Sequence, residues 1–517
     1  MLLTNPIDVH KYFPHIKYRI NADGNGNESV YYYITKTFRY NKLYIDNFRQ
    51  QMYQINLNSG DIFNGNNHTI IIPSSFSNKV EGGINGNCLW LGLFNINSGS
   101  TDPQTSSAII KNIKICNNNN IEISTYNNGI LVGFKQSYFN LLNCQIDVKL
   151  SNTLSSVVPN YYNSHGTNHL GGSLCGSDCS NFIISKCCVK SDVSNIIINT
   201  SGYGYDLGSS MCGSDCSNFT IQNCLMTGNV SNFYSGSHST GQNWNGFDGA
   251  GGICGSDCVT FIIVNTAMIG KVINSYISDG SNSSADYSSD AGGAITGSDC
   301  NGFSVLNCYS NNSVVNNING SNNNSSFDNT LGYDASSGII GSDCSNFNIT
   351  DCYSSSDILC SANVILYSTS SGHISEFDLA GGLVGSDSSN GSVNTSVYTG
   401  KIVINFVNVN VNDVNANVYG QGLIGSQSDT IALNYCFYPK DLPIIGDSTV
   451  TYSNNNTYNN IHSKKLYKTF LLGQSKNWKL SKKNKNKDVI LLVNNAYVNV
   501  KYNNWSLMKY LNRIFHF

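Results

Sequence analysis

One heptapeptide recurs along this chain and restricts its fold more than any other feature. "GSDCSNF" begins at Gly176 and returns at Gly213 and Gly341, with the variants "GSDCVTF" at Gly255 and "GSDCNGF" at Gly297. Weaker copies follow at Gly385 ("GSDSSNGSV") and Gly425 ("GSQSDTIAL"), and degenerate ones precede at Gly92 ("LWLGLFNI") and Gly133. Successive opening glycines are separated by 41, 43, 37, 42, 42, 44, 44 and 40 residues. A near-constant period over nine copies is the mark of a stacked array, in which each unit buries its apolar surface against its neighbours. An enzyme needs its reactive residues once, whereas a stack needs the same residues on every rung.

Within each copy the residue character is fixed. Phe182, Phe219, Phe261, Phe303 and Phe347 stand three residues after the motif Cys or its equivalent, and Ile184, Ile221, Ile263, Val305, Ile349, Val393 and Leu433 stand two further on. Alternating apolar and polar residues have the period of a strand with one buried face. Three residues later come Cys187, Cys224, Cys308, Cys352 and Cys436, with Cys144 in the early degenerate copy and Thr266 and Ser396 filling the slot elsewhere. Small residues at one place imply a tight inward corner. Glycine pairs before the motif ("GGSLCG", "GGICG", "GGAITG", "GGLVG") suit a bend with positive φ or a close backbone approach. A third apolar run follows, near Ile196 or Val403. Three short strands per copy, joined by polar segments of variable length, predict an all-β chain: a right-handed parallel β-helix, or solenoid, of roughly nine to ten coils. Long polar loops such as "DGSNSSADYSSD" and "NGSNNNSSFDN" are expected on one face, with terminal caps. An open antiparallel sandwich would explain the alternation but not the constant period.

The motif Asp recurs as Asp178, Asp215, Asp257, Asp299, Asp343 and Asp387 and becomes Gln427. In a coil stack these carboxylates stand about 5 Å apart, where like charges repel by roughly 1 kcal/mol in water and several-fold more when half buried. Gly-Ser-Asp is turn composition. The expectation is that the side chains point outward into water and accept backbone N–H groups as Asx-turns do. Shared Ca²⁺ and mutual protonation are the alternatives. The cysteines are expected to be free, buried thiols acting as small hydrophobes. They recur at equivalent positions without evident partners, and the pairs Cys175/Cys179 and Cys212/Cys216 sit on strand-like segments and not in facing zinc clusters.

Composition narrows the function classes. Charged residues make up 12% and the net charge is −3, so nothing selects nucleic acid or an acidic partner. There are 48 Gly and only 7 Pro, which suits many turns and few breaks in a sheet ladder. Asn runs, as at 117–120 and 322–324, interrupt patterned segments without replacing them and are attributed to an AT-rich genome. The start, "MLLTNPIDVHKYFPHIKYRI", is not read as a secretory signal, and no run of 18 apolar residues predicts a membrane span. Residues 1–59, aromatic and alternating, read as an N-terminal cap with leading strands, and residues 60–440 as the β-helix. Residues 441–517 read as a basic linker, Lys464 to Lys487, followed by a capping or docking segment of two strands and a short helix.

Two stretches carry a resemblance. "GDIFNGNNHTIIIP" (Gly60 to Pro73) followed by "LWLGLF" resembles the start of bacterial surface β-helices, with Asn67 and Asn95 where glycine is usual. "AGGLVGSDSSNGSVNTSVYTGKI" (Ala380 to Ile402) is similar to the GLUG repeat of adhesin-like proteins, with Gly381, Gly382, Leu383, Val384 and Gly385 as its signature. The resemblance covers about Asp61 to Tyr438. It implies a parallel β-helix of cell-surface or adhesive type and brings no catalytic residues. The Asn-rich style, without a signal and with cysteine-rich coils, looks more like giant DNA viruses of amoebae, or a protist.

The expectation for function is a non-catalytic structural or surface-binding protein, associated with a virion or cell surface or found in the host-cell cytoplasm, with glycans as a partner class. No catalytic residue, metal or cofactor is expected and no binding residues are assigned. The loop residues considered as glycan contacts are Tyr203, Tyr205, His238, Trp244 and Tyr287. The alternatives are a polysaccharide hydrolase or lyase and an intracellular scaffold. A lyase acting on acidic sugars wants Arg or Lys at the substrate, yet no Arg lies between Gly171 and Lys440, and Glu376 is the only Glu after Glu122. The oligomeric state stays open, since no coiled-coil segment is present.

Overall fold

The computed structural model describes residues 2–72, 91–97, 107–117, 122–155, 168–198, 205–236, 247–278, 289–322, 332–366, 376–407 and 422–438 with short breaks, and three strands between 478 and 499. The described chain is a parallel β-helix. A 12-stranded sheet runs from Ile16–Ala22 to Ala432–Asn434. Its first two strands, Ile16–Ala22 and Glu28–Ile34, form an antiparallel hairpin, and every later pairing is parallel. Stacking therefore starts before residue 60, because Glu28–Ile34 already lies in register on Ile62–Asn64. A 16-stranded sheet and a six-stranded sheet complete the wall of the coils. The leading segment also holds a helix not foreseen from sequence, Pro6–Tyr12, with Asn5 as its N-cap and Pro6 at its first position. Near the C-terminus, Val489–Val493 and Ala496–Asn499 pair antiparallel as the two expected strands, joined by Trp478–Leu480. The short helix and most of the basic linker fall outside the described residues.

Register decides the fold, and it is as the period requires. Phe139, Phe182, Phe219, Phe261, Phe303 and Phe347 form one buried file, with ring centroids 5.0, 4.8, 4.8, 4.8 and 5.9 Å apart. The file ends because Gly391 follows in the next coil, and a Cβ there would strike the Phe347 ring. Parallel strands keep like residues opposite each other along the stack, so one favourable contact is repeated at each rung.

Corners are made by left-handed residues. The motif Asp has φ between 52° and 55° in all six copies, and Gln427 has 54°. A second such residue follows three later, as at Asn181, Asn218 and Asn346, and a third precedes the corner Cys, as at Asn143, Asn223 and Asn307. Asn and Asp tolerate this conformation better than other non-glycine residues, which gives the Asn richness a structural use at these sites. The glycine pairs do not carry positive φ. They allow close approach: a Cβ on Gly172 would run into the Cys212 backbone and one on Gly293 into that of Ile340.

The corner thiols do more than fill space. Cys144 and Cys187 each donate a backbone N–H to the sulfur of the next coil, Cys187 and Cys224, at 3.4 Å. Where the file changes residue, Thr266 Oγ1 accepts from Cys224 N–H at 3.3 Å and Ser396 Oγ from Cys352 N–H at 3.1 Å. Cys, Thr and Ser interchange there because each is small and both donates and accepts. Every described cysteine is free, and the motif sulfurs of Cys179, Cys216, Cys258, Cys300 and Cys344 donate to glycine carbonyls of the preceding coil.

Candidate functional site

The six-stranded sheet consists of short strands that lie nine residues ahead of each motif Asp. Its register places His169, Asp206, Asp248, Asp290, Asp334 and Asp378 in one file. The chain thus carries two acidic files and not one. "NHLGGSLCGSD", "YDLGSSMCGSD", "FDGAGGICGSD", "SDAGGAITGSD", "YDASSGIIGSD" and "FDLAGGLVGSD" each repeat the nine-residue offset. The offset is present in the sequence, but the strand Asp lies outside the repeated heptapeptide, so the motif alone does not reveal it.

The buried motif Ser holds the two files together. Leu207 N–H donates to Ser256 Oγ at 2.8 Å and Ala291 N–H to Ser342 Oγ at 2.9 Å, while Ser386 Oγ donates to the Ala335 carbonyl at 3.2 Å. In each case the partner is the residue immediately after a strand Asp, one coil back. The corner backbone is fixed as well, since the N–H of Asp215, Asp257 and Asp343 donates to Ser256, Ser298 and Ser386 carbonyls at 3.0–3.1 Å. The two files therefore face each other across the corner. In it Asp206, Asp248 and Asp257 offer oxygens within 4.8 Å of one another, as do Asp248, Asp290 and Asp299, and Asp290, Asp334 and Asp343.

This corrects in part the expectation that the motif carboxylates face water: the side chains are half-buried, with one oxygen turned inward. The Oδ2 oxygens of Asp257, Asp299, Asp343 and Asp387 each expose less than 1 Å² and meet no donor outside the two files, and the equally buried Oδ2 of Asp215 has His169 Nδ1 at 3.3 Å. The reason is the second file, which walls off the corner that the heptapeptide alone left open. Burial, then the charges of Asp206, Asp257 and Asp178, push Asp215 up to about 10. Burial followed chiefly by Asp206, Asp290 and Asp378 respectively pushes Asp257, Asp343 and Asp387 up to about 8. Asp248, Asp299 and Asp334 are raised in the same way.

At both ends of the files other side chains meet the carboxylates. At the first coil His169 takes the place of a strand Asp. Its Nδ1 lies 2.9 Å from Asp178 and 3.3 Å from Asp215, and its Nε2 lies 3.3 Å from Asp206. Burial pulls the His169 imidazolium down, but the hydrogen bond to Asp178 and the charges of Asp178 and Asp206 outweigh it and hold the group above its ordinary value. At the last coil Ser426 Oγ donates to Asp378 Oδ1 at 2.9 Å and Gln427 Nε2 to Asp378 Oδ2 at 3.1 Å. Lys and Arg supply no ion pair to the cleft among the described residues.

A second polar file, also unread in the sequence, runs inside the 16-stranded sheet. Asn152, Asn195, Asn232, Asn274 and Asn316 are buried, and the Nδ2 of each of the first four donates to the Oδ1 of the next at 2.8–2.9 Å. The same nitrogens donate to the carbonyls of Gly171, Gly208, Ala250 and Gly292. Thr125 Oγ1 donates to Asn152 at one end, and Asn316 Nδ2 reaches the Cys360 sulfur at the other.

Of the loop residues considered as contacts, Tyr205 is described and proves to be core. It is 3% exposed, in the strand Tyr205–Asp206, with its ring 6.2 Å from Tyr234. The alternating pattern resumes at Tyr205, so the loop closes before it. Tyr203, His238, Trp244 and Tyr287 lie outside the described residues. No helix among the described residues is long and apolar enough to cross a membrane. Comparison with protein families, curated proteins and solved structures finds no match to this chain.

Proposed function

We propose that the chain is a non-catalytic β-helical rod, a structural or surface-binding component of a virus particle or cell surface, with glycans as the partner class its polar outer residues suit. The observation that carries this reading is repetition. Apart from His169, which stands at one end, each polar group of the Asp files, the Asn file and the corners recurs coil after coil. A glycosidase needs two carboxylates about 5–9 Å apart with different protonation roles; here 11 near-equivalent Asp residues from Asp178 to Asp387 share two files. The absence of Arg between Gly171 and Lys440 argues in the same direction for acidic substrates.

The purified chain, presented to a panel of neutral and acidic glycans, is expected to show binding without product. Released sugar that disappears on changing one Asp, but not its file neighbours, would overturn the reading in favour of a polysaccharide-degrading enzyme. Mass spectrometry of purified particles against infected-cell cytosol tests the location. Recovery in the cytosol alone would point to an intracellular scaffold.

A further inference from the structure

We infer that the outer face of the 12-stranded sheet is a binding surface for an acidic polysaccharide, with Lys17, Arg19 and Lys111 at one end receiving its carboxylate or sulfate groups. The inference rests on the reading of the rod as a glycan-binding protein, and it adds where the glycan lies and what charge it carries.

The first observation behind it is sign. The chain is net negative, at −3, and its two Asp files line a different wall of the coils. Register draws two outward files across the 12-stranded sheet, one from Tyr31 to Ala432 and one from Tyr33 to Asn434. Every residue in both is neutral except Lys111. The antiparallel leading strand then sets Arg19 opposite Tyr31 and Lys17 opposite Tyr33. No carboxylate forms an ion pair with these three cations among the described residues. A face with positive charge only, on a negative chain, complements an anionic partner.

The second is that the cationic end is already held in place. The Arg19 guanidinium lies 4.4 Å from the centroid of the Tyr31 ring, a cation–π arrangement. Tyr31 is fixed in turn: its hydroxyl accepts from Asn64 Nδ2 at 2.7 Å, and its ring lies 6.1 Å from that of Tyr33. A guanidinium stacked on a ring keeps the N–H groups of its plane for a carboxylate or sulfate, and ordering it beforehand lowers the cost of binding.

The third is spread, which selects the kind of anion. Lys111 stands two strands beyond Tyr33, by way of Asn64, or about 10 Å at the usual strand spacing. That is too far for one small anion to reach both ends and suits charges carried at intervals along a chain. Past Lys111 the two files stay neutral for about 40 Å. Amides and hydroxyls such as Asn140, Thr220 and Gln222 alternate there with the exposed Ile183 and Ile262. Sugar hydroxyls bond to the former, and the C–H faces of pyranose rings pack on the latter. A nucleic acid carries a charge at every step and would meet counter-charges only at the start.

The test uses the whole chain. Heparin and polygalacturonate serve as acidic polysaccharides, dextran and laminarin as neutral ones, and oligo(dT) as a polyanion without sugars of this kind. Binding of an acidic polysaccharide is expected, weakening as salt is raised, with the neutral glycans and oligo(dT) bound more weakly. The variant Arg19→Gln/Lys111→Gln is expected to lose about tenfold or more in affinity at unchanged Tm. The control Lys271→Gln, exposed on the 16-stranded sheet, is expected to bind as the unaltered chain does. Should the double variant fold poorly, Lys111→Gln alone serves. Affinity unchanged by these variants overturns the inference, as does oligo(dT) bound as tightly as the acidic polysaccharides. Binding confined to neutral glycans overturns it and leaves the glycan-binding reading standing, whereas binding of no glycan overturns both.

Discussion

The Asn file and the Asp cleft are built on the same geometry and reach opposite ends. In each, one polar residue is repeated at the strand spacing, buried, and forced into register by parallel pairing. An amide carries both a donor and an acceptor, so a file of amides closes its own hydrogen bonds. Asn195 receives from Asn152 and donates to Asn232, with a second N–H left for the Gly208 carbonyl. An ionised carboxylate only accepts. Stacking it forces the file to hold protons, so that one carboxyl becomes the donor to the next. The fold repeats both files faithfully, so repetition alone does not distinguish a file that completes itself with its own amides from one that must hold protons to do so. The hydrogen-bond inventory does.

Exchanging the two chemistries gives the largest expected effect. Asn232→Asp removes the donors to the Ala250 carbonyl and to Asn274 Oδ1 and places a charge in a site with 0% exposure. A loss of about 4–6 kcal/mol is expected in a denaturant melt. The mirror change, Asp299→Asn, is expected to raise Tm at pH 8, since the amide supplies donors to its neighbours without the proton that burial beside Asp290 and Asp257 makes Asp299 take up on folding. The left-handed backbone there, φ 55°, suits Asn as well as Asp. A rise for Asn232→Asp or a fall for Asp299→Asn would break the contrast.

The Phe file, which has no polar group, supplies the reference. Phe261→Ala opens a gap between Phe219 and Phe303 in rings stacked 4.8 Å apart, and about 3–5 kcal/mol is expected to be lost at any pH.

Dependence on pH sharpens the comparison further. The cleft groups raised above their ordinary value near 3.8 hold protons in the folded chain that the unfolded chain has released. The folded state then binds more protons, and stability falls as pH rises. In EDTA the loss is expected to begin near pH 4, to run through about 8 for Asp257, Asp343 and Asp387, and to end near 10 for Asp215. Melts at pH 5, 7 and 9 should show Tm falling stepwise, with a shallower fall for Asp257→Asn. Tm rising over that range would contradict the buried cleft.

The rod was legible in the sequence because a fixed period and an alternating strand leave few other folds, and Phe182, Phe219 and Phe261 do stand in file. The corner chemistry was legible in part: Gly-Ser-Asp was read as a turn, and the turn is there. What escaped was contact between segments nine residues apart. Asp206 and Asp215 look independent along the chain and meet only because the corner at Ser214 folds one strand against the other. Asn195 and Asn232 escaped for another reason. In so Asn-rich a chain, a functional Asn looks like the background composition.

The smallest effect belongs to the corner thiols, and it tests the principle on a third residue type. A thiol, like an amide, donates and accepts, though weakly. Cys224 accepts from Cys187 N–H at 3.4 Å and donates to the Gln222 carbonyl at 3.2 Å. Ser396 meets the same demands on its own rung, accepting from Cys352 N–H and donating to the Asn394 carbonyl at 2.8 Å. Cys224→Ser is therefore expected to cost less than about 1 kcal/mol, within the range of one hydrogen bond exchanged for another. Cys224→Val keeps the bulk but removes both roles, leaving the Cys187 N–H buried without an acceptor, and about 1–3 kcal/mol is expected. Equal costs for the two variants, read by urea melts under reducing conditions, would mean that the corner selects for size alone.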